Sequence, residues 1–558
     1  MKTNRRNFVK KIGIGASGIA FGHSINSNAS PLNLRKNKKE TDEQILYIGD
    51  DIAVVDTIYG KVQGYILRGI YYFLGIPYGA DTSGSKRFMP PTPPKPWDNT
   101  YQAIWWGDSA PQNMENKYAN FFNGFLSHLN YSDLSEDCLR INVFTPGIND
   151  RRKRPVLLWI HGGGFTTGNG IEQDEYNGEN LARFGDVVFC SVNHRLGPLG
   201  FTNLNGVGGD RFAASGNVGM LDLVAALEWI RDNISNFGGD PNNVTIMGQS
   251  GGGAKVTTLT AMPSAKGLFH KAVVLSGAGL RSGEKEYSEK LGKRVLKEAR
   301  LTENELDKLQ YIPWLEYIHI ANNAAEKLFL ETGPSQEWFR RGFSPVVDGY
   351  YLPSHPYYPE ATPLAENVPM LICSTLNESI MLEPELELLT FDDVKERLKP
   401  RFGKMSGKIV DVYARTFPGK NPADILSIII SNYFRQPSVE LANIKSKQNA
   451  PVYLAWFWWQ PPLFNNRLRA FHCIDISFWF HNTDLMFTHT GGGERPRNLS
   501  EKMAGTLIQF MKNGDPNGAG LPHWPRYTAD NGETMILDDR SEIRNDPDRE
   551  ARNLMSST

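Results

Sequence analysis

Short apolar runs alternate with longer helical stretches through most of this chain. The runs have strand length, and several are apolar on both faces, as strands enclosed between two layers of helices must be. Between two of the runs, residues 219–237 carry apolar residues at the three-residue spacing of an amphipathic helix. Strand, helix and strand in alternation predict a largely parallel sheet, and so an α/β fold. The clearest predicted strands are 156–160, 187–192, 244–247, 271–276, 369–375 and 452–459.

Two charged stretches, at about residues 281–340 and 380–448, interrupt this alternation. Both are polar enough to form helices outside the core sheet, and neither repeats internally. One interpretation makes them solvated surface helices, which charged helical stretches usually are. The other makes them a cap that shapes a substrate pocket. Both interpretations stay open at this point, because the sequence does not place these helices relative to the sheet.

Composition narrows the class of protein. The chain has 558 residues, of which 40% are apolar, so it can bury a large core and lacks the signature of disorder. With 60 Lys and Arg against 61 Asp and Glu, the net charge of −1 gives no long-range attraction to nucleic acid or anionic lipid. A small neutral substrate is the simpler expectation.

The N-terminus has the pattern of an export signal. Arg5 and Arg6, with three lysines, precede a weakly apolar segment at 12–22 and then small polar residues. The paired arginines resemble a twin-arginine signal, so we predict a signal at 1–29 and a polar linker at 30–45. The alternative is a disordered basic tail. Because the apolar segment is shorter than the ~20 residues of a membrane span, we expect a periplasmic or secreted protein without a stable membrane span.

The four cysteines indicate neither a disulfide framework nor a metal site. They include no C-x-x-C pair, and Cys190 and Cys373 lie within apolar runs, where a cysteine usually packs as a small hydrophobe. The other two are Cys138 and Cys473.

The sequence GQSGG at 248–252 offers a candidate nucleophile. It fits the pattern G-x-S-x-G and follows a predicted strand, the context in which such a serine stands at a sharp strand-to-helix turn. That turn is strained, and glycine at 248 and at 252 avoids the clash that a Cβ atom would cause. Ser250 would then be a catalytic nucleophile. The pentapeptide alone fits a structural glycine turn equally well.

A second glycine motif supplies what acyl transfer requires. HGGGF at 161–165 follows the predicted strand 156–160, and successive glycines let backbone amides point at the oxyanion of a tetrahedral intermediate. Gly163 and Gly164, with the amide of Gly251 after the serine, would form a three-donor oxyanion hole. The alternative is a loop that is merely flexible.

Chain order restricts the acid and the base that Ser250 needs. In this class of site the order is nucleophile, acid, histidine, which removes every histidine before the serine. Glu378 directly follows one predicted strand, and His472 follows the loop after the next. His481 and His489 compete with His472, and spacing alone leaves that choice open.

Many ordered blocks of the chain resemble the type-B carboxylesterase and cholinesterase family of α/β-hydrolases. The match runs from about residue 55 to 540, and its blocks include FLGIPYG, SEDCLRINVFTP, HGGGF, VNHRLGPLGF, GQSGGG and AFHCID. The resemblance implies Ser250 as nucleophile, His472 as base and Glu378 as acid. It also assigns the oxyanion donors to Gly163, Gly164 and Gly251.

The same resemblance implies the architecture and the chemistry. It implies one α/β-hydrolase domain at 46–558, in which a large, mostly parallel sheet is flanked by helices and helical insertions form a cap over the site. The expected reaction is two-step hydrolysis of a small neutral carboxylic ester through an acyl-enzyme, with no metal or organic cofactor. We expect no nucleic-acid partner, and the oligomeric state is open. The alternatives are a catalytically silent binding or adhesion protein on this scaffold, and a deacylase of an extracellular glycan.

The resemblance further implies structural roles for polar residues near the site. Arg87 is expected to pair with Glu136, and Arg195 with Asp240, as buried ion pairs that hold loops. Framework rather than catalytic roles fall to His161, His194 and Asp475.

Four positions depart from the family pattern. Gln249 stands where glutamate is common, and a neutral amide beside the histidine weakens any attraction for a cationic substrate. Ala110 stands where the family has a cysteine, so Cys138 is expected to be a free thiol. Ser379 and Cys473 each replace a usual glycine beside the predicted acid and base.

Overall fold

The fold alternates strands and helices, as the sequence pattern predicts. The computed structural model describes residues 44–114, 122–333 and 342–557, so the predicted export signal and nearly all of the linker lie outside the described residues. The strands are β1 Leu46–Tyr47, β2 Val54–Thr57, β3 Gly60–Gln63, β4 Tyr65–Leu67, β5 Ile70–Pro77, β6 Tyr101–Gln102, β7 Arg140–Thr145, β8 Arg154–Ile160, β9 Val188–Val192, β10 Gly239–Gln249, β11 Lys271–Leu275, β12 Gly283–Glu284, β13 Val346–Val347, β14 Met370–Thr375, β15 Val452–Phe457, β16 Glu533–Leu537 and β17 Glu542–Asn545. The helices are α1 Glu179–Gly185, α2 Gly197–Phe201, α3 Asn205–Gly208, α4 Val218–Asn233, α5 Gly251–Leu259, α6 Lys285–Glu298, α7 Trp314–Thr332, α8 Phe391–Phe402, α9 Ser406–Thr416, α10 Pro422–Lys445, α11 Ile476–Trp479, α12 Phe487–Thr490, α13 Glu494–Asn513 and α14 Arg549–Ser556.

A twelve-stranded sheet runs through the described part of the chain, in the order β1-β4-β5-β7-β9-β8-β10-β11-β14-β15-β16-β17. From β9 to β16 in this order, neighbouring strands are parallel, and antiparallel strands flank this part on both sides. All the predicted strands are confirmed, as β8, β9, β10, β11, β14 and β15. They are neighbours in the parallel part, which explains why their sequences are apolar on both faces.

The sheet separates two hydrophobic cores. Along β8, Val156, Leu158 and Ile160 belong to one core, while Leu157 and Trp159 belong to the other. All of these side chains are fully buried. A strand buried on both faces must be apolar at every position, so the uninterrupted run was the correct signal for a strand.

Helix α4 confirms the helix predicted at 219–237, and a 3₁₀ turn at Ile234–Phe237 completes it. Leu227 and Ile230 of the predicted apolar stripe are buried, and so is the polar Asp222. The helix is therefore enclosed on more faces than an amphipathic surface helix would be. Within the described residues, no helix is both long enough and apolar enough to cross a membrane.

The two charged stretches border a pocket of about 720 Å³ that Ser250 also lines. The first stretch contains α6 and α7, and the second contains α8, α9 and α10. Residues 432–434, 436 and 437 of α10 line the pocket, as do Arg281 before α6 and residues 342–344 after the first stretch. Helices α8 and α10 of the second stretch therefore contribute to a cap over the site, and the interpretation as purely solvated surface helices is wrong for that stretch. The first stretch reaches the described lining through Arg281.

One of the two predicted ion pairs is wrong. Arg87 and Glu136 do pair, with Nε 2.7 Å from Oε1. Arg195 instead pairs with Asp222 of α4, with Nη2 2.6 Å from Oδ1 and both side chains buried. Asp240 lies at the amino end of β10, whereas Arg195 follows the carboxyl end of β9. Because β9 and β10 run in the same direction, these two positions lie at opposite edges of the sheet.

All four cysteines are free thiols, in agreement with the prediction for Cys138. Cys138, Cys190 and Cys373 are buried, and burial raises the pKa of each thiol. Protonated and enclosed, these three cysteines act as small core side chains. Cys473 is half-buried, and it is the cysteine that lies next to His472.

Candidate active site

The predicted site residues gather at the carboxyl edge of the parallel strands. Ser250 directly follows β10, Glu378 lies three residues beyond β14, and His472 lies beyond β15. The order of strand addition reverses at β8, since β9 lies on one side of it and β10 on the other. Open α/β sheets bind their ligands in the crevice at such a reversal.

Ser250 occupies a strained turn between β10 and α5. Its φ of 56° and ψ of −124° lie where residues with a side chain are rarely found. Its amide donates to the Leu275 carbonyl at 2.8 Å, which ties the turn to β11. A Cβ atom at Gly252 would lie 2.1 Å from the Ile160 carbonyl oxygen. Gly252, the last glycine of the motif, therefore serves close packing, as the G-x-S-x-G motif predicts.

The Glu378 carboxylate is buried and fully engaged. Its Oε2 lies 2.5 Å from Nδ1 of His472. Its Oε1 accepts hydrogen bonds from the Ser276 hydroxyl at 2.7 Å and from the Thr375 amide at 2.9 Å. The Glu378 amide in turn donates to Ser431 Oγ at 2.7 Å. These bonds hold the carboxylate against the imidazole.

Sequence reasoning missed Ser276 and Ser431 as partners of Glu378. A signal for Ser276 was present, because it ends the predicted strand 271–276 with a polar residue. Polar residues at the carboxyl ends of neighbouring parallel strands meet at one edge of the sheet. Ser431 had no such signal, since it lies on a cap helix whose position only the fold determines.

The charges around His472 set its basicity. Burial lowers the pKa of His472, but the neighbouring Cys473 and Glu378 outweigh burial and hold the pKa well above its usual range. When the ring is neutral, the carboxylate at Nδ1 leaves the lone pair on Nε2. Such an imidazole can accept a proton from a nucleophile and return it to a leaving group.

Gln249 lies against the imidazole ring of His472. Its side-chain Nε2 lies 3.0 Å from Nε2 of His472, and the glutamine is buried. In the part of the chain that the structure describes, no hydrogen bond joins Ser250 to His472, whose Nε2 contacts Gln249 instead. The same amide nitrogen lies 3.3 Å from Nδ1, so it rests against the face of the imidazole ring and not along the lone pair of Nε2, which lies in the ring plane. Sequence reasoning identified Gln249 as unusual but missed this contact.

The loop after β8 packs directly on the first turn of α5. Gly163 and Gly164 have φ of 82° and 63°, in the region that favours glycine. A Cβ atom at Gly163 would lie 2.2 Å from the Thr167 carbonyl oxygen, and one at Gly251 would lie 2.2 Å from that of Gly164. The three glycines predicted to donate amides are thus brought together beside Ser250.

The pocket beside Ser250 is mostly apolar and carries no acidic residue among the described residues that line it. Its charged lining side chains are Arg281 and Arg401. The larger apolar and aromatic residues of the lining are Phe165, Leu280, Phe343, Tyr433, Phe434 and Pro437. A pocket of this size and lining is suited to a small, largely apolar ligand.

The loop that carries His472 is tied to the cap. It joins β15 to α11, and its Arg469 is buried. Arg469 Nε lies 2.5 Å from Oδ1 of Asp424 in α10, and its Nη2 lies 2.5 Å from Oε1 of Glu387. Phe434, also in α10, lies against the His472 ring, with the ring centroids 4.7 Å apart. The histidine is therefore held from the cap as well as from the sheet.

The competing candidates lie away from the pocket. His481 stacks on Phe184 with ring centroids 4.6 Å apart, and His489 is buried against Phe471. Neither lines the pocket that Ser250 lines. Asp475 is buried, and burial together with Glu378 raises its pKa to about 7. These residues have the surroundings of framework groups.

The backbone explains why the position of Cys473 favours glycine. Its φ is 79°, where a Cβ atom costs about 1–2 kcal/mol. The structure gives no reason for the thiol itself.

The chain is similar to known proteins along almost its whole length. The model of the Carboxylesterase family matches residues 51–555. The para-nitrobenzyl esterase of Bacillus subtilis (strain 168) is 34% identical over 508 residues, which cover 89% of this chain and 97% of that protein. The phenmedipham hydrolase of Pseudarthrobacter oxydans is 30% identical over 503 residues, which cover 88% of this chain and 97% of that protein.

Solved structures show the same likeness. An esterase from anaerobic Clostridium hathewayi, which can hydrolyze aliphatic aromatic polyesters, matches with a TM-score of 0.80 at 35% identity and covers 91% of this chain and 98% of its own. A carboxylesterase of Geobacillus stearothermophilus matches with a TM-score of 0.73 at 31% identity and covers 90% of this chain and 99% of its own.

Proposed function

Because the chain belongs to the carboxylesterase family and is a carboxylic ester hydrolase, we propose that it cleaves neutral carboxylic esters through an acyl-enzyme on Ser250. The observation that carries this proposal is the contact of His472 with the buried Glu378 at the edge of the pocket that Ser250 lines. A carboxylate at Nδ1 keeps the imidazole in the tautomer whose Nε2 accepts a proton.

The proposed reaction has two steps. Ser250 Oγ attacks the acyl carbon as its proton passes to His472 Nε2, and the amides of Gly163, Gly164 and Gly251 stabilise the resulting oxyanion. His472 then returns the proton to the departing alcohol as the ester C–O bond breaks, which leaves the acyl-enzyme. In the second step, water gives a proton to His472 and attacks the acyl carbon, which releases the acid and Ser250.

Charge in and around the pocket favours a neutral substrate. Arg281 and Arg401 line the pocket, and Gln249 beside His472 is uncharged. A cationic acyl or alcohol group would meet repulsion there and no compensating carboxylate on the described lining. The names of the relatives, for para-nitrobenzyl esters and for aliphatic aromatic polyesters, support uncharged esters as the substrates to test.

Replacing Ser250 by alanine tests the proposed nucleophile. Ser250→Ala is expected to lower kcat on nitrophenyl esters by ~10⁴–10⁶ because acyl transfer loses its nucleophile. Circular dichroism and thermal unfolding should match the wild type. A fluorophosphonate probe should label the wild type at Ser250 and leave the variant unlabelled.

Ser446→Ala is a matched control, because Ser446 lies at the end of α10 and its hydroxyl bonds only to the Asn443 carbonyl. Hydrolysis by Ser250→Ala near the wild-type rate would contradict the assignment. An unlabelled wild type would favour the catalytically silent binding protein. Nitrophenyl, choline, acetylated-sugar and feruloylated-sugar esters, compared side by side, separate a neutral esterase from a glycan deacylase.

We also propose that the protein is exported. The support is the N-terminal sequence, in which Arg5 and Arg6 precede a short apolar segment and then small polar residues. These residues lie outside the described part of the structure, so the proposal rests on sequence alone.

A further inference from the structure

A lysine lies fully buried behind the loop that carries the oxyanion glycines. Lys255 belongs to α5, little more than one helical turn after Ser250, and its side chain is inaccessible to solvent. Its Nζ donates to the His161 carbonyl oxygen at 3.0 Å. No salt bridge joins Lys255 to a carboxylate among the described residues. Burying an ammonium without a paired anion is costly, and an apolar side chain of similar length would fill the space more favourably.

The lysine contacts both ends of one short loop. His161 is the first residue of the segment HGGGF at 161–165, and its carbonyl is bonded to Nζ. Phe165 is the last residue, and its ring centroid lies 5.8 Å from Nζ, within the range of a cation–π contact. Gly163 and Gly164 lie between these two contacts. The ammonium is thus placed to hold the loop at both ends and leave its middle facing the pocket.

The loop has no comparable charge on its other neighbours. The His161 and His194 rings stack with centroids 5.0 Å apart, and burial together with Lys255 lowers the pKa of His194 well below its usual range. Arg195 is neutralised by Asp222. Glu172 is the acidic residue whose field reaches Lys255. Of these groups, the Lys255 ammonium is the positive charge that no salt bridge to a carboxylate neutralises, and it lies against both ends of the loop.

We propose that Lys255 is a positioning residue for ester hydrolysis, which holds the loop 161–165 so that the Gly163 and Gly164 amides face the oxyanion and places a positive charge behind them. This inference rests on the proposed acyl-enzyme mechanism. A fixed positive charge in a water-poor interior stabilises a developing oxyanion without any rearrangement during the reaction. Its effect therefore belongs to kcat more than to KM.

The charge of Lys255 is sensitive to pH. Burial lowers the pKa of Lys255 to about 7, and Glu172 opposes the shift only in part. The ammonium is charged below this pH and neutral above it, whereas the neutral amine still donates to the His161 carbonyl. The electrostatic part of its effect is thus present below about pH 7 and is lost as the pH rises.

Lys255→Met tests this role, since methionine keeps the length of the side chain and removes both the charge and the donor. We expect kcat to fall about tenfold to a hundredfold, somewhat less than the loss of a whole oxyanion donor, with KM within about threefold. A trifluoromethyl ketone, which binds as an oxyanion adduct, should lose affinity by the same factor as kcat/KM. The corresponding secondary alcohol, which forms no oxyanion, should bind as before. The decline of kcat above pH 7 in the wild type should disappear.

Two further variants keep the result interpretable. Lys445→Met is the matched control, because Lys445 is also fully buried and donates to a backbone carbonyl, that of Ala365 at 2.8 Å; its kinetics should stay as in the wild type. Lys255→Arg keeps a positive charge and should recover part of kcat. If Lys255→Met does not fold, Lys255→Gln takes its place in the same measurements.

Distinct outcomes overturn the positioning role and the proposed function. Wild-type kcat and wild-type ketone affinity in Lys255→Met, together with an inactive Ser250→Ala, would overturn the role of Lys255 alone. The same holds if ketone and alcohol lose affinity equally, because that pattern indicates a general loss of structure. Retained hydrolysis in Ser250→Ala would instead overturn the mechanism on which the inference rests.

Discussion

Gln249 influences how strongly His472 holds its proton. The imidazole already has one carboxylate, Glu378, at Nδ1, while the side chain of residue 249 against the ring is a neutral amide. A carboxylate in place of this amide would stabilise the imidazolium further and raise the pKa of His472 above its present, already elevated value. Because only the neutral ring acts as the base, a higher pKa means that activity appears at higher pH.

The variant Gln249→Glu should therefore shift the acid limb of kcat/KM upward by about one pH unit. Relative to the wild type at the same pH, activity should fall at pH 6 and approach the wild-type value at pH 9, because His472 is neutral in both proteins in alkaline solution. Gln436→Glu, which adds a carboxylate to the pocket lining on α10, should shift the limb less. A pH profile of Gln249→Glu that matches the wild type would show that residue 249 does not act on the base.

Cys473 shows what residue types alone do not reveal. The family pattern marks the position as one where glycine is usual, but only the backbone shows the reason, a φ of 79°. The sign of φ depends on how the loop closes onto the site, and that is fixed by contacts distant in sequence. For the same reason, the contact of Gln249 with His472 was not visible in the sequence.

The loop 161–165 and the first turn of α5 form one packed unit. The backbone of Gly164 contacts Gly251, and the turn at Gly163 closes tightly on Thr167. A unit with so little free space cannot admit a side chain at these glycines without moving an amide. Its geometry therefore controls how well the proposed oxyanion donors are aimed.

Gly163→Ala should lower kcat by about 10² with a smaller effect on KM, because the donor is displaced when the loop shifts. The added Cβ atom would lie 2.2 Å from the Thr167 carbonyl oxygen at a φ of 82°. Gly419→Ala is the control, since Gly419 has a φ of 83° and open space around its Cβ position. That variant should lose about 1 kcal/mol of stability and keep its kcat. Unchanged kcat in Gly163→Ala would contradict the role of the loop.

An element could be predicted from the sequence where residues close together in the chain determine it. The strands β8, β10 and β14 were predictable because burial on both faces demands uninterrupted apolar runs. The partner of Arg195 was not, because the choice between Asp222 and Asp240 depends on which edge of the sheet each occupies. The cap could not be predicted either, because a charged helix has the same sequence pattern whether it covers a pocket or lies on the surface.

In the whole molecule, the site residues come from several segments that meet at one edge of the sheet. Because the order of strand addition reverses at β8, the loop 161–165 and the turn at Ser250 follow neighbouring strands. Chain order and strand position could be predicted from the sequence, and with them the neighbourhood of Ser250, Glu378 and His472. The hydrogen bonds within that neighbourhood could not, because they depend on side-chain orientations.

The proposed export of the protein has its own test. Replacing Arg5 and Arg6 together by lysine should move esterase activity from the periplasmic to the cytoplasmic fraction of a bacterial host with a twin-arginine pathway, because that pathway reads the arginine pair. Arg35→Lys, in the predicted linker, should leave the distribution unchanged. If the double variant is distributed like the wild type, the N-terminus acts as an ordinary basic tail.

The two halves of the site are attached to the fold in different ways. Ser250 and the glycine loop are held by backbone packing on the sheet, whereas the segment with His472 is held through Arg469 to Asp424 and Glu387 in the cap region. Heat or denaturant that loosens the cap would draw the proposed base away from the proposed nucleophile while the sheet stays folded. The operating range of the enzyme is then set by its cap, and catalytic competence is a more local property than folding.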